Sequence, residues 1–274
     1  MITATIVTFR TKQDELRRII ACAISSSIDK VYVVDNSPTE VLNTIVSEFN
    51  SDKLEYIFGQ GNIGFGGANN IGIKKSMELG SEYHIILNPD IIFDSSDFDK
   101  MKSFMDRHPE VGMMAPKLIY PDGSPQVTAM MMPTPWDMFG RRLLPKCFKD
   151  RINEHYELQH CDLTHSRCIP NICGCFMFIR TQVLKQSGLF DDRYFMYFED
   201  FDLVRRVHKY SKIAYYPHAT VVHAHAAEHR TNKFLLKESI KSAIKYFNKW
   251  GWFFDSERRK WNKEVFLDES IIAD

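Results

Sequence analysis

Hydrophobic positions along the first third of the chain alternate between two patterns. "TATIVTF" (3–9) is an unbroken, β-branched run, the mark of a strand buried on both faces of a parallel sheet. "KQDELRRIIACAISS" (12–26) spaces its apolar residues at helical intervals. "KVYVVDNS" is a second buried strand and "TEVLNTIVSEF" a helix. "LEYIF" is a third strand, "GANNIGIKKSMELG" a helix closed by Gly80, and "YHIILNPD" a fourth strand. This strand–helix alternation predicts the α/β class: an open, mostly parallel sheet with helices on both faces. Ligands of such sheets bind outside the carboxyl ends of the strands.

The pattern then changes. "GMMAPKLIYPDGSPQVTA" reads as short strands joined by a Pro-Asp-Gly turn. From Met130 to Pro170 no clean periodicity appears, and so long a loop is expected to carry function, here at the acceptor side. "CGCFMFIRTQVLKQSG" resumes as strand then helix, "FMYFEDFDLVRRVHKYS" is a helix with acids at its start, and "IAYYPHATVVHAHA" is strand-like. "NKFLLKESIKSAIKYFNKWGWFF" is a long amphipathic helix. The expected layout is a catalytic domain over 1–226, divided into a nucleotide half (1–120) and an acceptor half (121–226), followed by a helical extension over 227–274.

Composition narrows the class. With 35 basic and 35 acidic residues in 274 the formal charge is zero, so nothing global points to nucleic acid. The six cysteines form no C-x-x-C pair, and no apolar stretch approaches the ~20 residues of a membrane span. No leader-like segment opens the sequence, so a cytoplasmic location with reduced thiols is expected.

One motif is ambiguous. Gly59-x-Gly61-x-x-Gly64 has the spacing of a dinucleotide fingerprint, which would suit an NAD(P)- or FAD-dependent oxidoreductase. That fingerprint normally occupies the first strand–helix turn, yet here the turn is "TFRTKQ" and the glycines follow the third strand. A plain glycine-rich turn, or a non-catalytic sugar-nucleotide-binding module, is the other bland reading. The strand ends favour something else. "TFR" (Thr8, Arg10), "VDNS" (Asp35, Asn36), "GNIG" and "NPD" (Asn88, Asp90) converge on one sheet edge. An acid ending the second strand can accept the N3–H of a pyrimidine or hold a ribose. An acid ending the fourth can hold a divalent cation on a diphosphate. Further on, Glu199 and Asp200 follow the aromatic run "YFMYF", where a carboxylate can be tuned as a base. His223, with His225 and His229 after it, ends a strand and is a further metal-ligand candidate.

Taken in order, "TIVTFR", "VYVVDNS", "GNIGFGGANNIG", "ILNPD", "APKL", "CGCFMFIR", "FMYFEDFDLVRR" and "VVHAH" resemble family 2 of the inverting nucleotide-sugar glycosyltransferases, with the GT-A fold. The likeness spans roughly residues 2–226 and is nearest to rhamnosyltransferase-like bacterial members that build surface polysaccharide. It implies that Thr8, Arg10, Asp35, Asn36, Asn62, Gly64, Gly67, Asn69, Asn88 and Asp90 line the donor site. It implies a Mn²⁺ or Mg²⁺ cofactor held by Asp90 and His223, the first acid of the family's D-x-D having become Asn88. Asp200 then serves as base beside Glu199, with Gly174 and Asp202 on the acceptor side. The donor expected is thymidine-diphospho-rhamnose, or failing that a uridine-diphospho sugar, and the acceptor a glycan or lipid-linked glycan. Residues 233–254, with a lysine every fourth position opposite Leu236, Ile240, Ala243, Ile244 and Phe247, suit an inner-membrane surface contact or simple packing on the domain. The sequence leaves a homodimer open.

Overall fold

A computed structural model describes residues 1–140, 145–224 and 233–273. The first half follows the sequence pattern: β1 (Ile2–Thr8), α1 (Gln13–Ser25), β2 (Lys30–Asp35), α2 (Asn43–Ser47), β3 (Leu54–Ile57), α3 (Gly64–Glu78) and β4 (Tyr83–Leu87). Next come β5 (Ile91–Phe93), α4 (Ser95–Arg107), β6 (Val111–Ile119), β7 (Pro125–Gln126) and β8 (Ala129–Met130). A π-helical turn at Trp136–Gly140 precedes α5 (Lys146–Tyr156), β9 (Arg167–Cys168), β10 (Asn171–Ile172), β11 (Phe176–Arg180) and α6 (Thr181–Ser187). The chain closes with α7 (Glu199–Val207), β12 (Lys212–His223), α8 (Lys233–Trp250) and α9 (Ser256–Glu264).

Ten strands form one sheet in the order β3-β2-β1-β4-β11-β6-β12-β5, with β7 on β6 and β9 on β12, and β8 pairs β10 in a separate two-stranded sheet. β1 to β4 run parallel, whereas β11 enters antiparallel between β4 and β6. Every residue of β1 and β4 is buried, which is why these strands are apolar or threonine runs but for His84, whose ring nitrogens meet Thr3 and Thr5 of β1. One face is covered by apolar residues of α1, α2 and α4, such as Leu16, Ile45 and Phe98. The other is covered by α3, α6 and α7 through Ile73, Leu184 and Leu203.

Three features depart from the sequence reading. The stretch read as a loop from Met130 to Pro170 holds the π-helical turn, α5 and the short strand β9. Its helix is highly charged and inserts Tyr156 among the methionines of β8 and the loop after it, a long-range contact that leaves little periodicity. The helix expected across "FMYFEDFDL" begins only at Glu199, because Tyr197 and Phe198 are left-handed, each at φ +68°. Lastly, α8 packs on the domain by Ser242, Ala243, Tyr246 and Phe247, on both sides of that turn, whereas Leu236, Ile240 and Ile244 of the expected apolar face are exposed.

Candidate active site

The candidate donor corner is built at the ends of β1 and β2, which are in register at Thr8 and Asp35. The Asp35 carboxylate is fully buried. Its Oδ1 accepts from Thr8 Oγ1 (3.0 Å) and the Ser37 N–H (2.9 Å), and Oδ2 from the Tyr56 hydroxyl (2.6 Å). Asp35 therefore braces the corner from beneath, with three protein donors already on its oxygens. Asn36, also buried, donates to the Gly64 carbonyl (3.0 Å) and so ties the β2 end to the glycine turn. Arg10 stands at the rim, exposed, at a left-handed φ of +52° fixed by its N–H to Ser37 Oγ (2.8 Å).

The glycine turn answers to a neighbour within the chain. Gly64 has φ +80°, and a Cβ there would lie 2.1 Å from the Phe195 carbonyl oxygen, which also accepts from the Phe65 N–H at 3.1 Å. Only glycine lets α3 start against the segment that leads to Asp200. The Asn62 side chain caps this start by accepting from the Gly64 N–H (3.2 Å), and Gly67 is half-buried above Ile63. Asn69 is placed otherwise than expected. It is wholly buried and donates to the Phe65 carbonyl one turn back (3.1 Å), so it stiffens α3 and does not line the donor site. Two residues that pattern reasoning passed over do the joining. Asn70 makes a two-way pair with the Phe190 backbone (2.8 and 2.9 Å), and Gln60 donates to the Asp35 carbonyl (2.7 Å). The only signal for Gln60 is its place between Gly59 and Gly61.

Asn88 and Asp90 follow β4. The Asn88 N–H donates to the Cys175 carbonyl (2.9 Å), which fixes this turn to the start of β11. Asp90 Oδ1 lies 3.3 Å from Nε2 of His223, brought across by the pairing of β12 with β5. His223 is buried, and its Nδ1 is 2.8 Å from Gln126 Oε1. With Nδ1 held by Gln126, Nε2 is the ring nitrogen that faces Asp90, the outer-sphere arrangement of a metal-ligating histidine. Two ligands at right angles on a Mg²⁺-sized ion sit about 3.0 Å apart, so this pair fits a divalent cation. Among the described residues no group of three or more His, Cys, Asp or Glu is poised for a metal. Such an ion would therefore complete its shell with water and substrate oxygens, as Mg²⁺ commonly does. His225 and His229 lie outside the described residues.

The candidate base corner, at Asp200, adjoins the same strand start. Asp200 Oδ2 accepts from the Gly174 N–H (3.2 Å) and Oδ1 from the Phe201 N–H (2.9 Å). A Cβ at Gly174 would come within 2.9 Å of that carboxylate. Gly174 thus admits Asp200, while its neighbour Cys175 holds Asn88, so one peptide links the two corners. Burial pushes the Asp200 carboxyl up to about 6, against the pull of its two N–H donors. Glu199 is buried beside α3, and its Oε2 has no hydrogen-bond partner among the described residues. Burial, joined by the Asp200 charge, holds its carboxyl well above the usual range. Asp202 is a correction to the acceptor-side assignment. Two residues on from Asp200, it points to the opposite side of α7 and is fully buried. There it meets Arg206 Nε (2.9 Å), Trp250 Nε1 (2.8 Å) and Lys249 Nζ (2.7 Å).

This geometry can be set beside known proteins. The family model for glycosyl transferase family 2 matches residues 4–188, more than half of the chain. The chain belongs to glycosyl transferase family 2. A low-salt glycan biosynthesis hexosyltransferase, Agl10 of Haloferax volcanii, is 28% identical over 187 residues, 67% of this chain and 55% of that one. An N-acetylglucosaminyl-diphospho-decaprenol L-rhamnosyltransferase of Mycobacterium tuberculosis is 29% identical over 172 residues, 59% of this chain and 56% of its own. The chain thus spans a little over half the length of these curated relatives. The fold matches GalNAc-T7 with UDP, GalNAc and Mn²⁺ (TM-score 0.64, 15% identity, 89% of this chain, 47% of that one). It also matches the mannosyltransferase PcManGT from Pyrobaculum calidifontis with GDP-Man and Mn²⁺ (TM-score 0.60, 13% identity, 90% and 63%). The family 2 chain therefore has the GT-A architecture. Of the glycines after β3, Gly64 serves the joint with Phe195.

Proposed function

We propose that this family 2 chain is an inverting glycosyltransferase that moves a sugar from a nucleoside-diphosphate donor to a hydroxyl of a glycan or lipid-linked glycan. The observation that carries the reading is Asp200, a carboxyl raised to about 6 and aimed by the Gly174 and Phe201 N–H groups, one peptide from the turn that bears Asp90. An acceptor hydroxyl is a weak nucleophile near neutral pH. Asp200 takes its proton as the oxygen attacks the anomeric carbon, and the nucleoside diphosphate departs from the opposite face. One displacement with one base inverts the anomeric centre. Asp90 and His223 would hold a divalent cation, which would supply charge neutralisation for the departing diphosphate. Arg10, exposed at the rim, is the cationic side chain nearest in sequence to the donor corner and reaches for the same phosphates.

Thymidine-diphospho-rhamnose is the first donor to test and uridine-diphospho sugars the second. The rhamnosyltransferase relative supports the former by its name, and that name also carries a lipid-linked glycan as acceptor. Thermal shift against a panel of nucleotide sugars, with and without Mn²⁺, decides the matter. A donor at 100 times its Kd stabilises the fold by about 2.7 kcal/mol. The expected result is a shift that needs both donor and cation and that Asp90→Ala abolishes. Equal melting with every nucleotide sugar would overturn the reading.

A further inference from the structure

We infer that the turn and helix after α8, residues 252–266, together with Trp136, form a docking face for an anionic lipid surface. The first observation is a tight turn that is anchored on its inner side and presents aromatics on its outer side. Asp255 is buried and grips Arg205 through two bonds of 2.5 and 2.6 Å, while also capping α9 at the Arg258 N–H (3.0 Å). Trp252 stacks on Phe139 (6.2 Å, 17°) and bonds back to Asn248. Between these two anchors Phe253 and Phe254 stand 63% and 90% exposed. Trp136, 65% exposed, lines the same cleft as Phe253, Arg259 and Lys263, a hollow of about 480 Å³. An adjoining hollow brings Phe254 together with Arg259, Lys260 and Lys263.

The second observation is charge. The nearby acids are largely engaged: Asp255 with Arg205, Glu257 with Arg205 and Lys209, and Glu264 with Lys260 at 3.7 Å. The face thus couples large apolar rings to Arg259 and Lys263, exposed cations that pair with no acid among the described residues. A second copy packed about a two-fold axis would set these cations against their own kind. An anionic leaflet offers hydrocarbon to the rings and phosphates to the cations at once. The lysine row of α8 is less free to do this. Lys241 pairs with Glu238, Lys245 bonds the Arg193 carbonyl, and Lys249 is held by Asp191 and Asp202. Within the span 233–254 that the sequence suggested, the contact is thereby confined to residues 252–254, from where it continues into α9. This inference stands independently of the proposed transfer reaction.

The test is co-sedimentation of the full chain at low salt. One set of vesicles is phosphatidylcholine alone, and the other contains equal parts of phosphatidylcholine and phosphatidylglycerol. The wild type should partition to the anionic vesicles only. Phe253→Ser with Phe254→Ser should weaken this at least about tenfold. Arg259→Glu, Lys260→Glu and Lys263→Glu together should weaken it on the order of a hundredfold. All five positions are at the surface, so unchanged melting temperatures will show that the variants are folded. Quenching of tryptophan fluorescence by brominated lipid should accompany binding, from Trp136 and Trp252. Wild-type indifference to the anionic lipid would overturn the inference, as would both variants binding like wild type. So would a dimer, seen by light scattering, that the double phenylalanine variant dissolves, since a second copy would then cover this face.

Discussion

At Asp200 two backbone N–H groups stabilise the charged form while burial opposes it, and burial prevails. A base with a pKa near 6 is mostly ionised at neutral pH yet still strong enough to take a hydroxyl proton. Asp200→Asn should keep nucleotide and cation binding and lose ~10² or more in transfer rate. Below about pH 6 the wild-type rate should fall as the carboxyl protonates, and a profile flat down to pH 5 would remove Asp200 from the reaction. Glu199 makes a different prediction. Its folded pKa lies above its unfolded one, so it retains a proton on folding and its cost to stability grows as pH rises. Glu199→Gln should therefore melt a few degrees higher than wild type at pH 8, with the gain vanishing at low pH where both states hold the proton. Equal melting at every pH would mean that the carboxyl is solvated. "FED" after an aromatic run made this pair legible in the sequence. Asp202 could not be told from Asp200 by type alone, because the side of α7 it takes depends on where the helix begins. Gln126 was invisible, since its partner His223 is far along the chain and meets it only through β12.

At the scale of elements, α8 holds the base turn from three sides. Ser242 Oγ donates to the Met196 carbonyl (2.9 Å), Phe198 packs on Tyr246 and Phe247 (5.4 and 6.2 Å), and Trp250 reaches Asp202. Tyr197 and Phe198 are bulky residues in a left-handed conformation, each costing roughly 1–3 kcal/mol that surrounding contacts must offset. Ser242→Ala with Trp250→Phe removes two hydrogen bonds, each worth about 1 kcal/mol, without opening a large cavity. The pair should lower kcat while nucleotide affinity, measured by calorimetry, stays the same. A matched loss of affinity would show that α8 supports the whole domain and not the base turn. None of this was legible beforehand. Periodicity locates strands such as β1 and β4 because burial on both faces demands continuous apolar runs. It says nothing about two left-handed residues whose cause lies in a helix some forty positions later. The amphipathic pattern of α8 was visible, but the face it buries was set by aromatic partners on distant elements.

For the whole molecule, the sheet order has a consequence for divisibility. The donor corner lies within the first part of the chain, which suggests a separable nucleotide half ending near residue 120. Yet among the described residues β6 pairs with β7, β11 and β12 alone, and β11 is what fills the place between β6 and β4. A fragment of residues 1–120 would hold β3-β2-β1-β4 and nothing beside β4. "YHIIL" would become an open edge of unpaired N–H and C=O groups, and "VGMMAPKLI" an apolar segment with no partner. Unprotected edges of that kind recruit other chains. We expect fragment 1–120 to be recovered as aggregate, while 1–273 remains soluble in the same host, and a monomeric 1–120 that binds nucleotide would refute this. Recombination between relatives, or insertion of a tag near residue 120, then meets a constraint the linear order of motifs hides: the break would fall inside a sheet that closes only when a strand from the later half is threaded into its middle.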